Sequence, residues 1–276
     1  SARSVGRGAD VPTDVLVGSY PSLPSQAITI TTAGPIAEER TLAAGDYYLY
    51  DDGSSFDLIA ALTSVINGHS IVADAVVSIL DNRLIQITSS TSFALTWPTD
   101  GVLRDLLGFT GNLTTATSHT ATNISPLLWS PGKRATTGGR FGTDGIPVVD
   151  VAWAQSGPGR VYATSHNLYR RQTLSWRYLL NARVWTTAEA NGEFITFWRE
   201  VLIKARPFKV WRNLTEGSGS AWDLDGDGDG VLPSAGAYVY QPNGRPVDMP
   251  WAREFGFHES VHPIEIPCST TPEFTA

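Results

Sequence analysis

A chain of 276 residues, 42% hydrophobic and 17% charged, can bury a sizeable core in one large domain or two small ones. No run of about 18 apolar residues occurs, so no helix of spanning length is expected, and the single cysteine, Cys268, excludes an internal disulfide and a cysteine-based zinc knuckle. The net charge of −7 is unevenly spread: residues 1–130 carry −7, residues 131–212 carry +8 and residues 213–276 carry −8. Such alternation either neutralises itself within one fold or guides contact between subunits.

Residues 1–26 are rich in Ser, Pro, Gly and Val with little periodicity, and read as an extended N-terminal arm. The arm has no apolar core of the signal-peptide kind, and the chain lacks an initiator Met, so it reads as trimmed or mature. Val11, Val15, Leu16, Val17 and Tyr20 are its few apolar side chains. They are expected to fill grooves on a neighbouring subunit or on the chain's own surface.

Residues 27–125 read as a small α+β module. "AITITTAG" and "GDYYLYD" are strand-like, and "SSFDLIAALTSVINGH" places Leu58, Ile59, Leu62, Val65 and Ile66 at helical spacing. Ser54 or Ser55 is the expected N-cap and Gly68 the expected C-cap. "ADAVVSILDNRLIQITSS" predicts a hairpin turning at Asp81-Asn82, and "SFALTWP" a further strand. A short helix over "TDGVLRDLLGF" then packs Leu103, Leu106, Leu107 and Phe109.

Residues 126–276 read as a β-rich domain and hold eight of the nine tryptophans. "VVDVAWAQ", "RVYATSH" and "RRQTLSWRYLL" alternate like strands, as do "PFKVWRNL" and "GAYVYQPNGRPV". The clearest helix spans 186–205, with Phe194, Phe197, Trp198, Val201, Leu202 and Ala205 along one side. The fold class expected is α+β, mainly β: a β-sandwich or barrel with one packed helix, plus the small α+β module.

Two motifs suggest metals. In "FGFHESVHPIEIP", His258, Glu259 and His262 have the zinc-protease spacing, which has meaning only on a helix, where both imidazoles share a face. Pro263 disfavours helical geometry at His262, and only fourteen residues remain to supply a third ligand. A terminal β-strand is therefore expected, with Glu259 turned away from the two histidines. In "AWDLDGDGDGVLPSAG", Asp223, Asp225 and Asp227 occupy the first, third and fifth positions of a calcium loop. The twelfth position is Ser234 rather than a bidentate glutamate, so the loop is either a weak calcium site or a solvated turn.

Other chemistry is sparse. His69, His119 and His166 are isolated in sequence, and no GxSxG, P-loop or dinucleotide-binding glycine pattern occurs. The loop "PGKRATTGGR" offers Lys133, Arg134 and Arg140 to a phosphate or an acidic neighbour, or holds them in solvent. Sequons at Asn112, Asn123 and Asn213 read as chance without a secretory signal. Neither a catalytic constellation nor a resident cofactor is expected.

The core residues of "YYLYDDGSSFDLIAALTSVI…NRLIQITSSTSFALTWPTDGVLRDLLGFTG" resemble a module of virion structural proteins. They are Leu58, Ala61 and Leu62, then Phe93, Leu95 and Trp97, then Leu106, Leu107, Gly108 and Phe109. "LSWRYL", "FITFWREVLIKARPFKVWRN" and the final "FHESVHPIEIP" are similar to tail-tip and distal tail proteins of tailed bacteriophages. The resemblance implies a virion structural protein that forms a homo-oligomeric ring in the tail or its tip. Its partners would be other tail proteins, and the ring would enclose a passage for DNA. A head–tail connector or capsid-associated protein is the alternative within the virion. A carbohydrate-binding β-domain with a calcium loop is the alternative outside it, and exposed, clustered tryptophans would distinguish that reading.

The strand expected at His262 has a direct check. Elemental analysis of the purified protein should find no stoichiometric, tightly held zinc. One zinc per chain that disappears in His262→Ala would contradict the strand assignment.

Overall fold

Alternating apolar and polar residues write most of this chain into antiparallel strands. The structure, a computed structural model, describes residues 13–34, 36–51, 54–80, 82–131, 136–137, 146–155, 161–179, 193–213, 239–242 and 262–270. These form two antiparallel sheets and few helices, so the chain is mainly β within an α+β class.

The larger sheet is built around β1 (Thr13–Leu23), the first described element. Residues Thr13–Gly18 of β1 pair with β12 (Phe208–Asn213), and Leu16 and Val17 also pair with β8 (Leu128–Trp129). Ser19, Tyr20 and Leu23 pair with β4 (Gly45–Tyr48). Val15, Leu16 and Val17 are each at most 1% exposed. Three consecutive buried residues mean a strand covered on both faces. Of the two places expected for the arm's apolar side chains, a neighbouring subunit or the chain itself, Val15 and Leu16 take the second: they are buried in the chain's own core and are not available to a neighbouring subunit. Val11 lies outside the described residues.

Beyond β12 the sheet continues through β13 (Val239–Pro242) and β14 (His262–Thr270) to β11 (Val161–Leu179) and β10 (Ile146–Gln155). β9 (Thr136–Thr137) lies beside β11. The sequence pattern suggests separate strands at "RVYATSH" and "RRQTLSWRYLL", but β11 runs through both without a break. His166 is the additional residue where Asp150 faces Asn167 and Val151 faces Ser165, a one-residue bulge.

The smaller sheet has the order β3 (Ala37–Leu42), β2 (Gln26–Thr32), β6 (Ile85–Thr96), β5 (Val76–Ile79), with β7 (Leu113–Thr120) also on β6. β6 is one twelve-residue strand that absorbs the expected separate "SFALTWP" strand. It changes partner midway, from β5 to β2, while β7 follows its other edge with a register shift between Thr88 and Phe93. Asp74 fixes that irregular point, accepting from the Ser89 hydroxyl at 2.6 Å and the Ser90 amide at 3.0 Å. These bonds, the Ser89 hydroxyl foremost, hold its carboxyl down at about 2. In the β5–β6 hairpin the left-handed residue is Arg83, at φ 68°, and Asp81 is outside the described residues.

Helix α1 (Leu58–Asn67) buries Leu58, Ile59, Leu62 and Ile66. Its N-cap is Asp57, whose side chain accepts from the Ala60 amide at 3.0 Å, not Ser54 or Ser55. Gly68 caps the C-terminus as expected. After α2 (Val102–Leu106), Gly108 turns at φ 80°, and a Cβ there would run into the Asn123 carbonyl. The Asn123 amide donates to Gly108 O at 2.9 Å and the Ser125 hydroxyl to Leu106 O at 2.6 Å, leading the chain back into the larger sheet at β8.

Helix α3 (Glu193–Phe197) continues into a π-type turn, Trp198–Leu202. Amides of Ile203 and Arg206 donate to carbonyls five residues back, on Trp198 and Val201, each at 2.9 Å. Phe194, Phe197, Val201 and Leu202 are buried and Trp198 is half-buried. Ala205, expected on the same face, is exposed at φ 49°, where the helix ends. Residues 186–192 of the expected helix lie outside the described residues. The buried face meets Trp129, whose ring centroid is 4.6 Å from Phe194 and 5.0 Å from Trp176.

Val201 packs against β1 at Gly18, where a Cβ would overlap its Cγ2 methyl. Gly18→Ala should therefore destabilise the protein by about 1–3 kcal/mol, the usual cost of overpacking. Adding Val201→Ala should recover part of that loss in denaturant titrations. A silent Gly18→Ala would mean that the helix does not sit on the strand.

Candidate functional site

The residues singled out in the sequence do not converge. Among the described residues, no three His, Cys, Asp or Glu side chains gather in a metal-binding group. Asp223, Asp225 and Asp227 lie outside the described residues, as do His258, Glu259, Lys133, Arg134 and Arg140. His262 opens strand β14 opposite Leu179, so its backbone is extended as expected. His69 is buried, its Nδ1 accepting from the amides of Ile71 and Val72 at 3.1 and 3.2 Å. His119 is buried against Phe93, with Nε2 2.9 Å from the Phe93 carbonyl oxygen. Cys268 is fully buried, and desolvation pushes its thiol up to about 12, far from a reactive thiolate.

Two chemically distinctive places were not found by sequence reasoning. The first is the seam where the loop after β4 meets β12. Lys209 is ion-paired with Asp51, and both side chains are largely buried. The Ser54 hydroxyl donates to the other Asp51 oxygen at 2.7 Å. Lys209 Nζ also stands 4.6 Å from the Tyr48 ring centroid, a cation–π contact. Burial, with Asp51 and Asp46 nearby, pushes the Tyr48 phenol up to about 12. Residues 158 positions apart meet here, so no local pattern announces the contact.

The second is a cleft of about 320 Å³ between α2 and the π-type turn, lined by residues that include Tyr20, Leu106, Pro126 and Arg199. Tyr20, expected at a subunit interface, is half-buried at this cleft with the Arg206 guanidinium 4.2 Å from its ring centroid.

A third feature is one of backbone rather than side chains. Among the described residues, strand β14 pairs with β11 from Arg171 to Leu179, whereas β10 pairs with β11 from Val161 to Arg171. Residues 146–155 and 161–170 therefore form a two-stranded ribbon about 33 Å long at the usual rise. Among the described residues, neither of its two outer edges is paired. A two-stranded ribbon is marginal alone, and its unpaired N–H and C=O groups are a template for another strand.

Comparison with family models, with curated proteins and with solved structures finds no match for this chain. Among the described residues, no helix is long and apolar enough to cross a membrane.

Breaking the Asp51–Lys209 pair should be costly because it strands a buried charge. Lys209→Met should lose about 3 kcal/mol by chemical denaturation, and adding Asp51→Asn should restore a measurable part of it. Additive single and double variants would show that the two groups do not interact.

Proposed function

We propose that this chain is a structural component of a tailed-phage virion that assembles into a ring in the tail or tail tip. The observation that supports this reading is the ribbon of β10 and β11, with an unpaired edge on each side among the described residues. Strand β10 of one copy laid beside residues 161–170 of the next would continue one sheet from subunit to subunit. The edges lie on opposite sides of the ribbon, so the contact is head-to-tail, the type that closes into rings when the rotation permits. The +8 segment, residues 131–212, contains the ribbon and is flanked in sequence by two acidic segments, which suits contact between unlike surfaces. In this reading the work is assembly with other tail proteins around a passage for DNA.

Among the described residues, the burial of four of the nine tryptophans favours a scaffold over a carbohydrate-binding surface. Trp97, Trp129 and Trp176 are at most 5% exposed, and Trp198 is half-buried against the core. Sugar stacking needs exposed rings, and none of these four offers one.

Native mass spectrometry and negative-stain imaging test the proposal. The full chain should form a closed oligomer of fixed stoichiometry. A variant in which an Asn-Gly turn replaces residues 150–167 keeps Val149 opposite Leu168 as the closing pair and should be folded but monomeric. A full-length protein that stays monomeric at high micromolar concentration, alone and with tail proteins, would overturn the ring. Rings that survive ribbon shortening would overturn its role in assembly.

A further inference from the structure

The cleft between α2 and the π-type turn points to a second interaction, independent of ring formation. Its floor is apolar, made by Tyr20, Val102, Leu106 and Pro126. Its charged rim is unevenly matched. Glu200 is already engaged twice, by Lys204 at 2.6 Å and by Arg206 at 3.4 Å. Asp105 is engaged by Arg104 at 2.8 Å. Arg199 lines the same cleft, is exposed, and has no ion-pair or hydrogen-bond partner among the described residues. Four cations therefore surround two carboxylates, and the unmatched one is Arg199.

The backbone adds a reason to place function here. The π-type turn sets the positions of Arg199 and Glu200, both of which line the cleft. Single π-turns within helices occur often at functional sites, because the lost regularity has to be offset by something the shifted side chains do. The turn is not tolerated for want of packing: Val201 and Leu202, its buried residues, are at most 1% exposed. The turn thus sits in a well-packed helix, while Arg199 and Glu200 line an open groove.

We infer that this cleft is a docking site for an acidic segment of a partner protein, a segment with one apolar side chain beside a carboxylate. The apolar side chain would cover the Tyr20–Leu106 floor, and the carboxylate would meet Arg199, whose planar guanidinium suits a bidentate carboxylate contact. A volume of about 320 Å³ lies at the low end of small-ligand pockets and suits one or two side chains better than a cofactor. Arg206, stacked on Tyr20 and tied to Glu200, holds the floor in place from below the rim.

The experiment is a peptide array probed with the full-length protein. Each short peptide carries a central leucine or tryptophan flanked by acidic, neutral or basic residues. Acidic peptides should bind best, and raising the salt concentration should weaken them. Arg199→Glu, at an exposed site that leaves folding intact, should weaken binding about tenfold or more, and Arg199→Lys, which keeps the charge but cannot make the bidentate contact, should weaken it by a smaller factor. Acidic peptides that bind no better than neutral ones, or that ignore Arg199→Glu, would overturn the proposal. So would free acetate displacing the peptides at concentrations equal to theirs, since the site would then recognise a small carboxylate rather than a protein segment. The array readout does not depend on ring formation, so the two proposals stand or fall separately.

Discussion

The close approach of the π-type turn to β1 at Gly18 is the contact on which the rest of the structure depends. The Gly18 amide donates to Leu127 O at 2.7 Å, and its carbonyl accepts from the Leu49 amide at 3.2 Å. Val201 occupies the space where a side chain would stand. At one residue, therefore, β1 meets the segment leading to β8, the chain leaving β4, and the helix of the larger sheet. Ser19 extends the junction, its amide and hydroxyl both donating to Pro207 O, at 2.9 and 2.8 Å. A side chain at 18 would push these elements apart together, because a packed interior transmits displacement rather than absorbing it.

This arrangement explains the chain's organisation. β1 and β4 belong to the larger sheet, whereas β2, β3 and the elements from α1 to β7 form the smaller unit; the chain leaves the larger sheet after β1 and again after β4, and returns to it at β4 and at β8. The Asp51–Lys209 pair reinforces the same junction from the loop after β4. The pairing of β4 with β1 and the buried Asp51–Lys209 pair tie the chain entering the smaller unit to the larger sheet.

Sequence periodicity revealed the elements whose packing is local. The apolar spacing of Leu58, Leu62 and Ile66, and of Phe194, Phe197 and Val201, is enough to place α1 and α3. It could not place β1, because "VLV" is a three-residue apolar run without alternation, and its partners lie near residues 48, 128 and 210. Nor could it choose Asp57 over Ser54 as the cap, since both are good caps and only the Asp51 contact takes Ser54 away. The turn from α3 into a π-type segment carries no composition signal; it places Val201 against Gly18. The cleft and the Asp51–Lys209 seam were hidden for the same reason: each is assembled from residues distant in sequence. The zinc-protease spacing misleads in the other direction. His262 has the right neighbours on paper, and a backbone in a strand.

Amide hydrogen exchange across β1 tests the central claim most directly. If β1 is a shared, fully covered strand, the amides of Val15 to Gly18 should be among the slowest in the protein and should exchange only with global unfolding. Fast exchange of these amides while those of α1 and β6 remain protected would show that β1 is a separable arm, and would contradict the account.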